Sequence, residues 1–123
     1  MNLGRSRVMV FQDPVDMRKS FDGLYGLILG SGQDPVSGDV FLFVAGNRRR
    51  AKALFWDGNG LNIWMKRMEE GRLADVFTRG EMTTTELALF FEGSASVVKR
   101  ISPLDRTEKY ERRKGDENSF SAT

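Results

Sequence analysis

The residues most suited to chemistry in this chain form a cluster of cations. Residues 46–67 contain six basic side chains and one acidic side chain, so this segment carries a net charge of +5 and the rest of the chain −3. Guanidinium groups can donate paired hydrogen bonds to phosphate oxygens. The cluster therefore indicates a binding surface for an anionic partner, and we expect that partner to be DNA. Its members are Arg48, Arg49, Arg50, Lys52, Lys66 and Arg67. The alternative is that these charges bind no partner and only keep a solvated hairpin end soluble.

Three further residues are candidates for the same contact. Arg18 and Lys19 lie early in a predicted helix, where the backbone dipole favours anions. The alternative for Arg18 is an ion pair with Asp22, four residues further on. Trp64 could stack on an unpaired base, or it could belong to the core, as we expect of Trp56.

The composition excludes most kinds of catalytic site. The chain has no cysteine and no histidine, which excludes disulfides, the usual zinc sites and Ser-His or Cys-His pairs. Carboxylates could hold magnesium, but Asp13 and Asp16 fit helix capping and Asp57 fits a tight turn. We therefore expect no catalytic residues, no metal and no cofactor.

Length and composition are typical of one soluble domain. The chain has 123 residues, of which 40% are hydrophobic and 29% charged. No apolar run approaches the ~20 residues that a membrane span needs, and no secretory signal is visible. We expect a cytoplasmic protein without a membrane partner. Residues 1–101 are predicted to form a single α+β domain, and residues 102–123 a polar, disordered tail.

Local patterns predict a strand followed by a helix. Arg7–Phe11 is a β-branched and aromatic run typical of a strand. Pro14 follows a capping aspartate, so we expect a helix that begins there and ends at Gly30–Gly32. Gly23 and Gly26 lie inside this helix and indicate close packing against a strand.

A series of strands is predicted to follow. Val40–Ala45 is a continuous apolar run and the expected central strand. Arg50–Trp56 alternates as a half-exposed strand does, and Asp57–Gly60 predicts the turn of a hairpin. Leu61–Met68 is interpreted as the next strand, with a short helix as the alternative. Arg72–Thr78 is expected to add an edge strand.

The predicted hairpin has an electrostatic consequence. If it pairs Trp56 with Leu61, then Arg67 lies directly opposite Arg50. Like charges in that arrangement destabilise a sheet unless an anion screens them. This register would make the basic patch continuous across three strands.

A second helix completes the predicted domain. Thr83–Glu86 has the spacing of a capping box, and Gly93 ends the segment. Val97–Ile101 is predicted to be a last extended stretch. The order is strand, helix, a meander of three or four strands, helix. This order predicts an α+β fold in which helices pack on an antiparallel sheet.

Three blocks of the sequence, in order, resemble the TnpB-type Orf2 proteins of the insertion sequence sixty-six family. The similarity extends over about residues 7–93. It implies a small accessory protein for DNA transposition, made beside a separate transposase of the same mobile element. The alternative to DNA binding is then a protein-interaction module that docks on that transposase. The blocks are Asp16–Leu24, then Phe41–Phe43 leading to Asn47–Arg49, then Leu54–Leu61 with Trp64, Lys66, Arg67, Glu70, Gly71 and Arg72.

Overall fold

The computed structural model describes residues 6–93, which form a five-stranded sheet with one helix on each face. This architecture confirms the predicted α+β class. The strand order across the sheet is β4-β3-β2-β1-β5. The predicted stretch Val97–Ile101 and the tail over residues 102–123 lie outside the described residues. In chain order the elements are β1 (Val8–Val10), α1 (Phe21–Gly30), β2 (Val40–Val44), β3 (Arg50–Trp56), β4 (Leu61–Arg67), β5 (Glu81–Met82) and α2 (Thr84–Phe91).

The sheet is mixed, which corrects the prediction of an antiparallel sheet. Strands β1 and β2 run parallel, with Val8 opposite Val40 and Val10 opposite Leu42. The remaining pairs are antiparallel, so the predicted meander is confirmed for β2, β3 and β4. Helix α1 lies between β1 and β2 in the chain, and a helical crossover lets two neighbouring strands run in the same direction.

Both faces of the sheet are covered by a helix. Helix α1 covers the face that we call the α1 face, through the fully buried Leu24 and Ile28. Helix α2 covers the other face, the α2 face, through Leu87 and Phe90. Strand β3 is therefore buried along nearly its whole length, and its predicted half-exposure is wrong. The strand residues under α1 include Phe41, Phe43 and Leu54, and those under α2 include Val40, Leu42, Ala53 and Phe55.

The first helix begins at Phe21 and not at Pro14 as predicted. The preceding residues form an irregular loop because their polar groups have other partners. The backbone N–H of Val15 donates to the carbonyl of Val44 at 3.0 Å. The carboxylate of Asp16 accepts the backbone N–H two residues later at 2.9 Å, a local turn that competes with helix formation.

The two glycines of α1 are not explained by packing against a strand. A Cβ atom at Gly23 would lie 3.2 Å from the side chain of Lys19, which is in the preceding loop. A Cβ atom at Gly26 would meet nothing within 4 Å. The predicted close approach of helix and strand is therefore wrong at both positions.

The segment that follows β4 is irregular, so the predicted edge strand over Arg72–Thr78 is wrong. Leu73 and Val76 are buried on the α2 face, and their three-residue spacing does not fit the alternation of a strand. The backbone N–H of Leu73 donates to the carbonyl of Arg48 at 2.7 Å, which ties the segment to the β2–β3 turn. The edge strand beside β1 is β5 instead.

The capping box of α2 is confirmed. The hydroxyl of Thr83 accepts the backbone N–H of Glu86 at 3.1 Å, and the carboxylate of Glu86 accepts the N–H of Thr83 at 2.9 Å. The same carboxylate is 5% exposed and accepts a hydrogen bond from Arg79 at 2.8 Å. Gly93, with a φ of +82°, follows the end of the helix. Within residues 6–93, neither helix has the length and apolar composition to cross a membrane.

Candidate nucleic-acid interface

The β2–β3 turn fixes the backbone of the first arginines of the cluster. The N–H of Arg48 donates to the carbonyl of Ala45, and the N–H of Arg49 donates to the side chain of Asn47, both at 2.9 Å. Arg48 has a φ of +58°, a left-handed conformation that costs a non-glycine residue roughly 1–2 kcal/mol. The carbonyl of Arg49 accepts the N–H of Met68 at 2.7 Å. The turn is therefore held from both sides while the side chain of Arg49 is exposed.

The predicted register of the β3–β4 hairpin is confirmed. Trp56 pairs with Leu61, and Arg50 lies opposite Arg67. Both arginines are exposed, and alternation along the strands places them on the α1 face. The guanidinium of Arg67 donates to the carboxylate of Glu69 at 2.8 Å. Among residues 6–93, no carboxylate oxygen lies within 4 Å of the Arg50 guanidinium.

An open groove of about 650 Å³ brings part of the basic cluster together. Three segments of the chain contribute to it: the loop before α1, the β2–β3 turn, and the end of β4 with the residues after it. We call it the arginine groove. Its lining residues are Val15, Asp16, Met17, Ala45, Gly46, Asn47, Arg49, Arg50, Arg67, Met68 and Glu69.

Arg18 is joined to this groove through Asp16. Its guanidinium donates to both oxygens of the Asp16 carboxylate, at 2.8 to 3.1 Å. This contact lowers the pKa of Asp16 from its ordinary value of 3.8 to about 2, so the carboxylate keeps its charge further into the acid range. The alternative considered for Arg18, an ion pair with Asp22, is therefore wrong, because its partner is Asp16. Lys19 is exposed and, like Arg18, precedes α1 without lining the groove.

Lys52 is buried, which removes it from the predicted binding surface. It is 8% exposed, and its ammonium group donates to the carbonyls of Met17 at 2.9 Å and Lys19 at 2.6 Å. The strand alternation placed Lys52 correctly relative to its neighbours, but α1 and the preceding loop cover that face. Lys52 thus supports the loop that lines the arginine groove.

Lys66 and Trp64 lie on the α2 face, away from the arginine groove. Lys66 pairs with Ala51 and Trp64 with Ala53, and successive strand residues point to opposite faces. Trp64 is 44% exposed, and its ring contacts Phe55 edge-on at a centroid distance of 5.0 Å. The prediction that all six cations share one surface is therefore wrong.

The groove combines three predicted arginines with residues that the sequence analysis missed. Arg49, Arg50 and Arg67 line it, and Arg48 lies at the adjoining turn. The apolar lining was missed because the loop before α1 reaches the groove only through its contacts with β2 and β3. Within residues 6–93, no group of three or more carboxylates is placed to hold a metal ion. The missed apolar residues are Val15, Met17, Ala45 and Met68.

Comparison with known proteins identifies similarity to one family. The profile of the family described as IS66 Orf2 like protein matches residues 6–100. The chain is also similar to a protein of Sinorhizobium fredii (strain NBRC 101917 / NGR234) named uncharacterized protein y4jC. The two are 40% identical over 68 residues, which cover 54% of this chain and 57% of the relative. The match thus spans little more than half of that relative's length. No solved structure matches the chain.

Proposed function

The chain belongs to the IS66 Orf2-like family of insertion-sequence accessory proteins, and from this premise we propose that it binds DNA during transposition without catalysing the reaction. The contact surface is the arginine groove, with Arg48 and Arg18 beside it. The observation that carries the proposal is the convergence of Arg49, Arg50 and Arg67 on one open groove.

The electrostatics of the groove favour an anionic ligand. Arg50 and Arg67 repel each other across the β3–β4 pair. Glu69 offsets part of this repulsion on one side, but its ion pair with Arg67 is largely exposed and therefore weak. A phosphate group between the two guanidiniums would interact favourably with both of them. DNA supplies such groups at regular spacing, independent of base sequence.

A titration of the full chain with labelled DNA tests this function. Fluorescence anisotropy with duplex and single-stranded oligonucleotides, repeated over a series of salt concentrations, measures affinity and its salt dependence. Three phosphate contacts give a slope of log K against log salt of about −2 to −3. We expect binding at low salt with a slope of this size. Failure to bind either form of DNA at low salt would contradict the proposal.

A second candidate function is docking on the element's transposase with little DNA contact. It is favoured by β4, which is an edge strand of the sheet formed by residues 6–93, and whose Trp64 is 44% exposed and Met65 62% exposed. An unpaired edge with large apolar side chains can accept a strand of another protein. Co-purification with the transposase from nuclease-treated extract tests it. Retention that is lost when Trp64 and Met65 become alanine would favour this candidate.

A further inference from the structure

The arginine groove has an apolar part as well as a charged part. Arg49, Arg50 and Arg67 come from the β2–β3 hairpin and the end of β4, whereas Val15 and Met17 come from the loop before α1. Val15 is 9% exposed and Met17 is half-buried. Met68 does not add to this apolar part, because its side chain packs against the core of the α2 face, near Gly93. The groove therefore offers contacts to apolar as well as to anionic groups.

The two parts together fit an unpaired nucleotide better than a stretch of duplex. The outside of a duplex presents phosphates and sugars, and its bases are stacked, so its backbone would leave the apolar lining of the groove unused. An unpaired nucleotide has a phosphate and an exposed flat base in one unit. Bases stack on guanidinium planes, and thioether sulfur makes favourable contacts with aromatic rings.

We infer that the arginine groove holds one unpaired nucleotide of single-stranded DNA, with its phosphate at Arg50 and Arg67 and its base against Met17. This inference rests on the proposed DNA-binding function and specifies its ligand.

The experiment compares three DNA ligands, two of which differ only in the presence of their bases. Anisotropy titrations of the full, unmodified chain use a single-stranded oligonucleotide of about 12 nucleotides, the same strand with every base replaced by an abasic spacer, and the matching duplex. All strands carry the same number of phosphates per nucleotide. The abasic strand is expected to bind roughly 5- to 150-fold more weakly than the intact strand, the range that stacking of one base gives. The duplex is expected to bind more weakly than the intact strand.

One variant and its control locate the effect. Met17→Ala is expected to reduce the ratio of intact-strand to abasic-strand affinity. Met65→Ala removes a more exposed methionine that does not line the groove, and it is expected to leave this ratio unchanged. The comparison of intact and abasic strands uses the unaltered chain, so it is decisive whether or not a variant folds.

The outcomes separate this inference from the proposed function. Equal affinity for intact and abasic strands, or a duplex bound as tightly as the single strand, would overturn the unpaired nucleotide and leave DNA binding in place. No binding to any of the three ligands would overturn both.

Discussion

Arg50 lies directly opposite Arg67 across the β3–β4 pair. Two like charges at facing positions destabilise the sheet of the unbound protein, and only Arg67 has a carboxylate partner within residues 6–93. The same two charges provide a paired donor surface for a phosphate group. Stability of the unbound fold and affinity for DNA are therefore opposed at this position.

Replacement of Arg50 is the direct test of this opposition. In Arg50→Thr, a residue suited to strands replaces one member of the like-charge pair, so we expect the free energy of unfolding to rise by up to about 1 kcal/mol. Affinity for DNA is expected to fall in the same variant. Urea denaturation and anisotropy measure the two quantities.

The control for Arg50→Thr is Arg7→Thr. Arg7 precedes β1 at the other end of the sheet and pairs with Asp39 at 2.9 Å. This variant loses the same charge as Arg50→Thr. Because Arg7 lies at the other end of the sheet and has an acidic partner, we expect unchanged DNA affinity and no gain in stability. A loss of stability in Arg50→Thr, equal to that of the control, would contradict the account of the like-charge pair.

Lys52 is expected to stabilise the loop that lines the arginine groove. Lys52→Met keeps a long side chain but leaves the carbonyls of Met17 and Lys19 without their donor. We expect the free energy of unfolding to fall by about 1.5–3 kcal/mol, with faster hydrogen exchange in residues 15–19. Lys66→Met is the matched control, because the Lys66 ammonium makes no hydrogen bond within residues 6–93, and it should change stability by less than about 0.5 kcal/mol. Equal stability of the two variants would disprove the role given to Lys52.

The ion pair between Arg79 and Glu86 should contribute strongly to stability because the carboxylate is buried. Arg79→Ala leaves Glu86, whose side chain is 5% exposed, without its cationic partner. We expect a loss of about 3 kcal/mol or more. In a double-mutant cycle, adding Glu86→Gln to Arg79→Ala should lose less than the sum of the two single changes. Strictly additive losses would show that the pair is not coupled.

Two exposed aspartates predict a loss of stability in acid. The pKa of Asp57 is lowered by hydrogen bonds from the Asn62 side chain and from backbone N–H groups of its turn, and the pKa of Asp16 is lowered to about 2 by Arg18. A depressed folded-state pKa stabilises the fold above the ordinary value of 3.8, and this contribution is lost as the pH falls toward the lower value.

The free energy of unfolding is therefore expected to decrease as the pH falls from about 4 to 2. Asp57→Asn and Asp16→Asn should each make this decrease shallower than in the unaltered chain. Chemical denaturation at a series of pH values measures the slope. A slope in both variants identical to that of the unaltered chain would contradict the assignment.

The elements that the sequence predicted well are those defined by local patterns. The apolar run of β2, the turn at Asp57–Gly60 and the capping box at Thr83 each depend on residues a few positions apart. The late start of α1 depends on Val15 bonding to Val44, and on Lys52 binding two loop carbonyls. Such contacts join distant parts of the chain, so no local pattern indicates them.

The candidate site was only partly predictable from the sequence, because some of its features depend on local patterns and others on contacts between distant parts of the chain. The facing of Arg50 and Arg67 follows from turn chemistry and from two-residue alternation, and it was predicted correctly. The burial of Lys52 depends on what covers the α1 face. Strand alternation alone places Lys66 and Arg67 on opposite faces of the sheet. The prediction missed this separation because it grouped the cations by the net charge of the segment.

The salt dependence of DNA binding tests the central claim most directly. The triple variant Arg49→Ala/Arg50→Ala/Arg67→Ala removes every arginine that lines the groove, and Arg7→Ala serves as the control. Each phosphate contact contributes about 0.7 to 0.9 to the slope of log K against log salt. We predict that the triple variant reduces the magnitude of this slope by about 2 to 3 while Arg7→Ala leaves it unchanged. An unchanged slope and affinity in the triple variant would show that DNA does not bind at the arginine groove.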